Sequence, residues 1–181
     1  MNQSQISVRY AKAFFQLSVE KKKLDVIIPD IHLIYSAIQD VEELKRLLHN
    51  PLVNPSDKKN VLHTLFNTKV SSQTIQFLNL VVEHSREAFL QDMFRNFIDM
   101  YRKYSGIKKV TVQTAHSFSR TNISAVTKIV KELYKTDIEF EEIVDEDLIG
   151  GFILRIDDLQ FDASIQQQIK NIKKEMLLQA V

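Results

Sequence analysis

The chain has no cysteine and no tryptophan, and only three glycines and three prolines in 181 residues. Without cysteine there is no disulfide framework, thiol nucleophile or cysteine-based zinc site, which fits a reducing compartment. Glycine occurs only at 106, 150 and 151, so neither a GxxxxGK[ST] phosphate loop nor a GxGxxG dinucleotide loop can be written anywhere. There is no GxSxG elbow, and Ser, His and Asp fall in no defensible triad. The five histidines are scattered without His-Glu-x-x-His or paired ligand spacing. Neither a catalytic group, nor a metal, nor a cofactor is expected. Lys plus Arg (24) nearly cancels Asp plus Glu (23), so no overall field argues for nucleic acid or an anionic membrane. No apolar run approaches the roughly 20 residues that span a bilayer. Membrane association is therefore expected only through a partner. The N-terminus runs straight into amphipathic sequence, without the pattern of a secretion signal or an Arg-rich transit peptide.

The chain has an ordinary globular composition, 44% hydrophobic and 26% charged, enough for one large domain or two small ones. From Ser4 to about Ser105 the apolar spacing is helical throughout, with proline and polar punctuation. It predicts a mainly α fold, a six-helix N-terminal bundle over residues 1–105. The helices are placed at about Ser4–Glu20, Leu24–Gln39, Val41–His49, Pro55–Phe66, Ser71–Ser85 and Glu87–Tyr104. Pro29 fits the second only within a first turn, which suggests a start near Ile27 or Ile28. Gly106 closes the sixth as a C-terminal glycine.

Beyond Gly106 the period alternates, and residues 106–181 read as a small α+β domain. Strands are expected at Lys109–Ala115, Asp137–Glu142, Phe152–Ile156 and Leu159–Phe161, with a turn at Asp157-Asp158. A helix from Arg120 or Thr121 to Tyr134 precedes the second strand. Ser164 caps a last helix that closes the module, with Ile165, Ile169, Ile172 and Met176 on one stripe. Gly150-Gly151, just before an apolar strand, signals a bend or a close approach that no side chain would tolerate. The acidic segment Asp137 to Asp147 lacks the third oxygen ligand of a cation loop and has Ile156 at the closing position, so it reads as a solvated strand face and turn.

Helices one and five each carry two apolar stripes. In helix one Ile6, Tyr10, Ala13, Phe14 and Leu17 form the core stripe, and Val8, Ala11, Phe15 and Val19 form another. In helix five Thr74, Phe77, Leu78 and Val81 face one side, and Ile75 and Val82 another. The second stripes admit two readings, a central place in the bundle or a shallow channel for an amphipathic partner helix lined by Val8, Phe15, Ile75 and Val82.

Several of these segments together resemble a known family. Arg9-Tyr10-Ala11-Lys12-Ala13 is similar to the RYAxA signature of the delta subunits of F-type ATP synthases, called OSCP in mitochondria. Asn50-Pro51 with Lys58 resembles the family's mid-domain NP and lysine, and Ser85-Arg86 lies where its helix-five arginine is expected. Asp145-x-x-Leu148-Ile149-Gly150-Gly151-Phe152, then Arg155 and Asp162-Ala163-Ser164, matches its DxxLIGG and DGS elements, with Ala163 in place of the usual glycine. The resemblance implies a non-catalytic stator subunit in which these motif residues are structural. The N-terminal domain would hold the alpha-subunit N-terminus in a groove to which Val8, Ala11, Phe15, Ile75 and Val82 contribute, and the C-terminal domain would hold the b-type peripheral stalk. It also implies a peripheral place on the cytoplasmic face of a bacterial plasma membrane. The competing class is a helical nucleic-acid-binding adaptor, motivated by short Lys and Arg clusters and weakened by the near-zero net charge.

Overall fold

A computed structural model describes residues 3–115, 117, 120–134, 136–156 and 159–179. The protein is mainly helical with a small four-stranded sheet toward the C-terminus. It divides into two compact units, Met1–Tyr101 and Arg102–Val181. None of its described helices is long and apolar enough to cross a membrane.

The first unit contains α1 (Gln3–Glu20), α2 (Leu24–Asp40), α3 (Glu42–His49), α4 (Pro55–Phe66), α5 (Ser72–Glu83), a 3-10 turn at Glu87–Phe89 and the start of α6 (Leu90–Ser105). The stripe Ile27, Ile31, Ile34 and Ile38 on α2 is fully buried, as its spacing requires. Pro29, however, lies inside α2 rather than in its first turn. The helix starts earlier than the proline suggested because the Val26 and Ile27 N–H groups both bond the Lys23 carbonyl. Burying Leu24, Ile27 and Ile28 then offsets the hydrogen bond that Pro29 cannot donate.

Two helix ends in this unit use a non-glycine residue in the left-handed region, Lys22 (φ 51°) and Ser85 (φ 52°). After α5, Ser85 N–H bonds the Val82 carbonyl and Arg86 N–H the Val81 carbonyl, and Lys22 and Lys23 make the same pair of bonds to Val19 and Ser18. The start of α5 is held from another helix. Buried Asp30 of α2 accepts from Ser71 N–H and the Thr74 hydroxyl, both at 2.8 Å, while Ser71 Oγ accepts from Thr74 N–H. Aromatic rings fill the centre: Phe14 stacks on Phe77 at 4.2 Å, and Phe97 lies 5.4 Å from both Phe14 and Phe15.

The second unit contains β1 (Lys108–Thr114), α7 (Arg120–Tyr134), β2 (Ile138–Val144), β3 (Phe152–Ile156), β4 (Leu159–Asp162) and α8 (Ile165–Gln179). The strand order is β2-β1-β3-β4, with β1 parallel to β2 and antiparallel to β3, and β3 antiparallel to β4. Val110 lies between Phe140 and Ile156 in the register, and Val112 opposite Leu154. With Val126 and Val130 of α7 these residues make the core. The turn expected at Asp157-Asp158 lies outside the described residues.

Candidate functional site

The first unit has a groove of about 550 Å³ between α1 and α5. Tyr10, Ala13, Phe14 and Leu17 form one wall, Phe77 and Leu80 the other, and Arg9, Gln73, Gln76 and His84 supply its polar groups. The Phe14–Phe77 stack lies at the floor, so the groove is backed by packed core. Arg9 extends over the Tyr10 ring at 5.9 Å. The arrangement has the apolar floor and polar margin that an amphipathic helix requires.

The channel residues expected from the sequence are not the ones that line this groove. Ala11, Ile75 and Val82 are 1%, 6% and 0% exposed and belong to the core. Phe15 packs edge-on against Phe97, and Val8, though 43% exposed, is not part of the lining. The reason is angular. On α5, Thr74, Ile75, Leu78, Val81 and Val82 fall within one arc of about 120°, so what read as two faces is one broad buried face. On α1 the buried line runs through Ser7, Ala11, Phe14 and Ser18, midway between the two bulky stripes. Small side chains let the helix approach closely there, and Ser18 returns its hydroxyl to the Phe14 carbonyl at 2.6 Å. Tyr10, Ala13 and Leu17, expected in the core, are left beside α5 as a groove wall. The spacing of Ser7, Ala11 and Ser18 was the available signal.

The motif residues have separate structural jobs. Asn50 Oδ1 accepts from Leu52 N–H, which turns the chain at Pro51 after α3. Lys58 of α4 is buried, 2.5 Å from Glu87 Oε1, and also donates to the Leu48 carbonyl at the end of α3. Arg86 contributes its backbone N–H to the α5 terminus, and its side chain is exposed. Asp145 accepts from Gln113 Nε2 and from Asp147 N–H, fixing the turn after β2. Arg155 donates across the β3–β4 pair to Gln160 at 2.9 Å.

Gly150-Gly151 is the close approach its spacing suggested. A Cβ on Gly151, at φ 81°, would sit 2.4 Å from the Ala163 carbonyl oxygen, and one on Gly150 would sit 2.8 Å from Ile165 Cδ1. The two segments are tied by Ala163 N–H to the Phe152 carbonyl and Ile165 N–H to the Gly150 carbonyl. Asp162 accepts from Ser164 N–H, and Ser164 Oγ caps α8 by accepting from Gln167 N–H. The Ser164 hydroxyl first, then its N–H, holds the Asp162 carboxyl below the ordinary aspartate range.

The last helix does not close the module. Ile165, Ile169, Ile172 and Met176 are 41–68% exposed, so its apolar stripe is presented outward. Leu159 and Phe161 on β4 are also exposed. They share the sheet face of Ile156 and Leu154, beyond the strands that α7 covers. The capped α8 start and the glycine crossing hold this helix to the sheet at its N-terminal end, which explains how a helix can begin firmly and still present its stripe outward.

The sequence profile of the family described as "ATP synthase delta (OSCP) subunit" matches residues 6–176. The chain is 32% identical over 173 residues to the ATP synthase subunit delta of Phocaeicola vulgatus, covering 95% of this chain and 94% of that one. It is 30% identical over 172 residues to the corresponding subunit of Desulforamulus reducens, covering 95% of each. Its fold also matches a chain in a structure of the Toxoplasma gondii mitochondrial ATP synthase hexamer with a TM-score of 0.79, at 20% identity, over 94% of this chain and 97% of that one. A profile match over residues 6–176, with relatives 30–32% identical across 95% of the chain, shows that the protein belongs to the ATP synthase delta (OSCP) subunit family, a non-catalytic part of the stator.

Proposed function

We propose that the two units bind opposite ends of the stator connection. In this reading α1–α6 act as the family's six-helix domain, and the α1–α5 groove takes the amphipathic N-terminal helix of an alpha subunit. The second unit takes the end of the b-type peripheral stalk along α8 and β4. The complex would then sit at the cytoplasmic face of a bacterial plasma membrane, with this subunit reaching the membrane only through its partners.

The observation that carries the reading is the groove, walled by Leu17, Phe77 and Leu80 and floored by the Phe14–Phe77 stack. Each large side chain an incoming helix buried there would contribute roughly 1.5–3 kcal/mol before association costs. Leu17 is partly exposed already, so Leu17→Asp leaves the core intact and places a charge in the groove. Calorimetry of the full chain with an alpha N-terminal peptide is expected to show affinity weakened about tenfold or more. Equal affinity in a folded L17D chain would remove the groove from the proposal. For the second unit, Ile172→Asp is expected to weaken capture of a soluble b-stalk fragment, and unchanged capture counts against α8.

A further inference from the structure

Resting on the reading of α8 as a stalk-binding surface, we infer that this helix is started by the subunit and completed by the stalk, so that folding of α8 and binding are one event. The start is built into the fold. Ile165 N–H bonds the Gly150 carbonyl at 3.0 Å, Gln167 N–H bonds Ser164 Oγ at 3.2 Å, and Gln168 N–H bonds the Ser164 carbonyl at 3.1 Å. Ser164 itself is buried, and the close crossing of Gly151 over Ala163 fixes the backbone that leads into it. The first turn is the costly part of a helix, because several residues must be fixed for one hydrogen bond. In α8 the cap and the crossing fix that turn in advance.

The turns that follow have no such support. Of the side chains at positions 165–173 and 176, every one is exposed except half-buried Gln167. The contrast is α2, of similar length, which buries Ile27, Ile31, Ile34 and Ile38. Most helical stability in proteins comes from packing an amphipathic face, and a lone helix of about 12–15 residues is marginal in water. With 15 residues, α8 is at that limit, and its Ile165, Ile169, Asn171 and Ile172 are weaker helix formers than alanine. A side-chain bond from Gln167 Nε2 to Asn171 Oδ1 at 3.1 Å adds only a small local gain. Ile165, Ile169, Ile172 and Met176 are spaced 4, 3 and 4 apart, the a and d pattern of a seam that a partner helix covers. Covering it supplies the burial that the later turns lack. The subunit without its stalk thus keeps a tethered first turn, from which the helix grows as the seam is filled.

The test uses the full chain and a soluble b-stalk fragment. In the free subunit, α8 amides beyond residue 170 should exchange hydrogen about tenfold or more faster than those of α2, and binding of the fragment should protect them. An α8 as protected as α2 without the fragment would overturn the inference. Affinity gives an independent reading through Asn171, which lies about 130° around the helix from the apolar stripe and so outside the seam. Asn171→Ala and Asn171→Gly both remove the amide and its hydrogen bond, and they differ in helix propensity. Coupled folding therefore makes the alanine variant bind the fragment about fivefold more tightly than the glycine variant. Equal affinities would mean that the stalk meets a finished helix, and if Ile172→Asp still weakens capture, only the coupling is lost. If Ile172→Asp leaves capture unchanged, the stalk reading of α8 fails and the inference falls with it.

Discussion

Replacing Lys58 with methionine strands a carboxylate inside the first unit. The Lys58 and Glu87 side chains are only 3% and 9% exposed, and the ammonium sits 2.5 Å from Glu87 Oε1. Glu87 Oε2 is buried with no protein donor, so Lys58 is the partner on which the ionised carboxyl depends. Lys58 also donates to the Leu48 carbonyl at 3.3 Å, and that acceptor is orphaned in the same step. Removing one member of a buried pair costs about 3–5 kcal/mol. A domain of this size is stable by roughly 5–15 kcal/mol in total, so the loss is a large fraction of it. Lys59, which pairs with Glu83 at a position where Glu83 is 60% exposed, provides the contrast. A solvent-screened pair of that kind contributes little to stability.

The assay is urea unfolding of Lys58→Met, Lys59→Met and the double variant Lys58→Met, Glu87→Met, followed by far-ultraviolet circular dichroism. The double variant removes both charges and fills their volume with apolar chain. It is expected to recover most of the loss, because desolvation of the native pair already cancels much of its attraction, and the unsatisfied Oε2 adds to that cost. The reasoning fails if Lys58→Met is as mild as Lys59→Met. It also fails if the double variant is as unstable as the single one, since the damage would then come from lost lysine packing rather than an unpaired carboxylate.

Further outcomes follow from the other local geometries. Gly151→Ala places its Cβ against backbone at a positive φ and should destabilise the second unit by about 3 kcal/mol or more, whereas Gly150→Ala meets only a movable Ile165 methyl and should cost about 1 kcal/mol, read by hydrogen exchange in β3 and α8. Lys22→Gly and Ser85→Gly relieve left-handed strain at two helix ends and should each raise stability by about 0.5–1 kcal/mol in thermal unfolding. Asp162 has a depressed folded pKa, so its contribution is present above the ordinary aspartate value and is lost as pH falls through the depressed one. Protection of the α8 start should accordingly fade below about pH 4 in the parent and show no such step in Asp162→Asn.

Much of this fold is legible because single residue types carry strong local signals. The α2 isoleucines announce their buried face, and Gly106 at φ 71° ends α6 through Ile107 N–H bonding the Arg102 carbonyl. The glycine pair announces a steric crossing whose other half, the Ala163 backbone, is identified only by the structure. Pro29 misleads for a different reason. Proline raises the cost of a helix locally, while the gain from burying Leu24, Ile27 and Ile28 depends on neighbours that periodicity does not contain. The outward α8 stripe is likewise invisible to spacing, because an amphipathic pattern states that a face needs covering and leaves open whether the cover belongs to the same chain.

The groove shows where such reasoning can be made sharper. A search for bulky apolar stripes assigns the core to the heaviest side, yet a helix that must approach its neighbours closely turns its smallest side chains toward them. On α1 the Ser7, Ala11 and Ser18 line marks that seam, with Phe14 as its one large member. Bulky residues are then displaced to both flanks. Phe15 and Val19 on one flank are partly covered by the core, while on the other Tyr10, itself partly covered, stands with Ala13, Leu17, Phe77 and Leu80 around an open slot. A helix with two large stripes separated by small residues at i, i+4 and i+11 therefore predicts a buried seam and a candidate groove at its side. The same residues that seat α1 tightly are what leave room for another helix beside it.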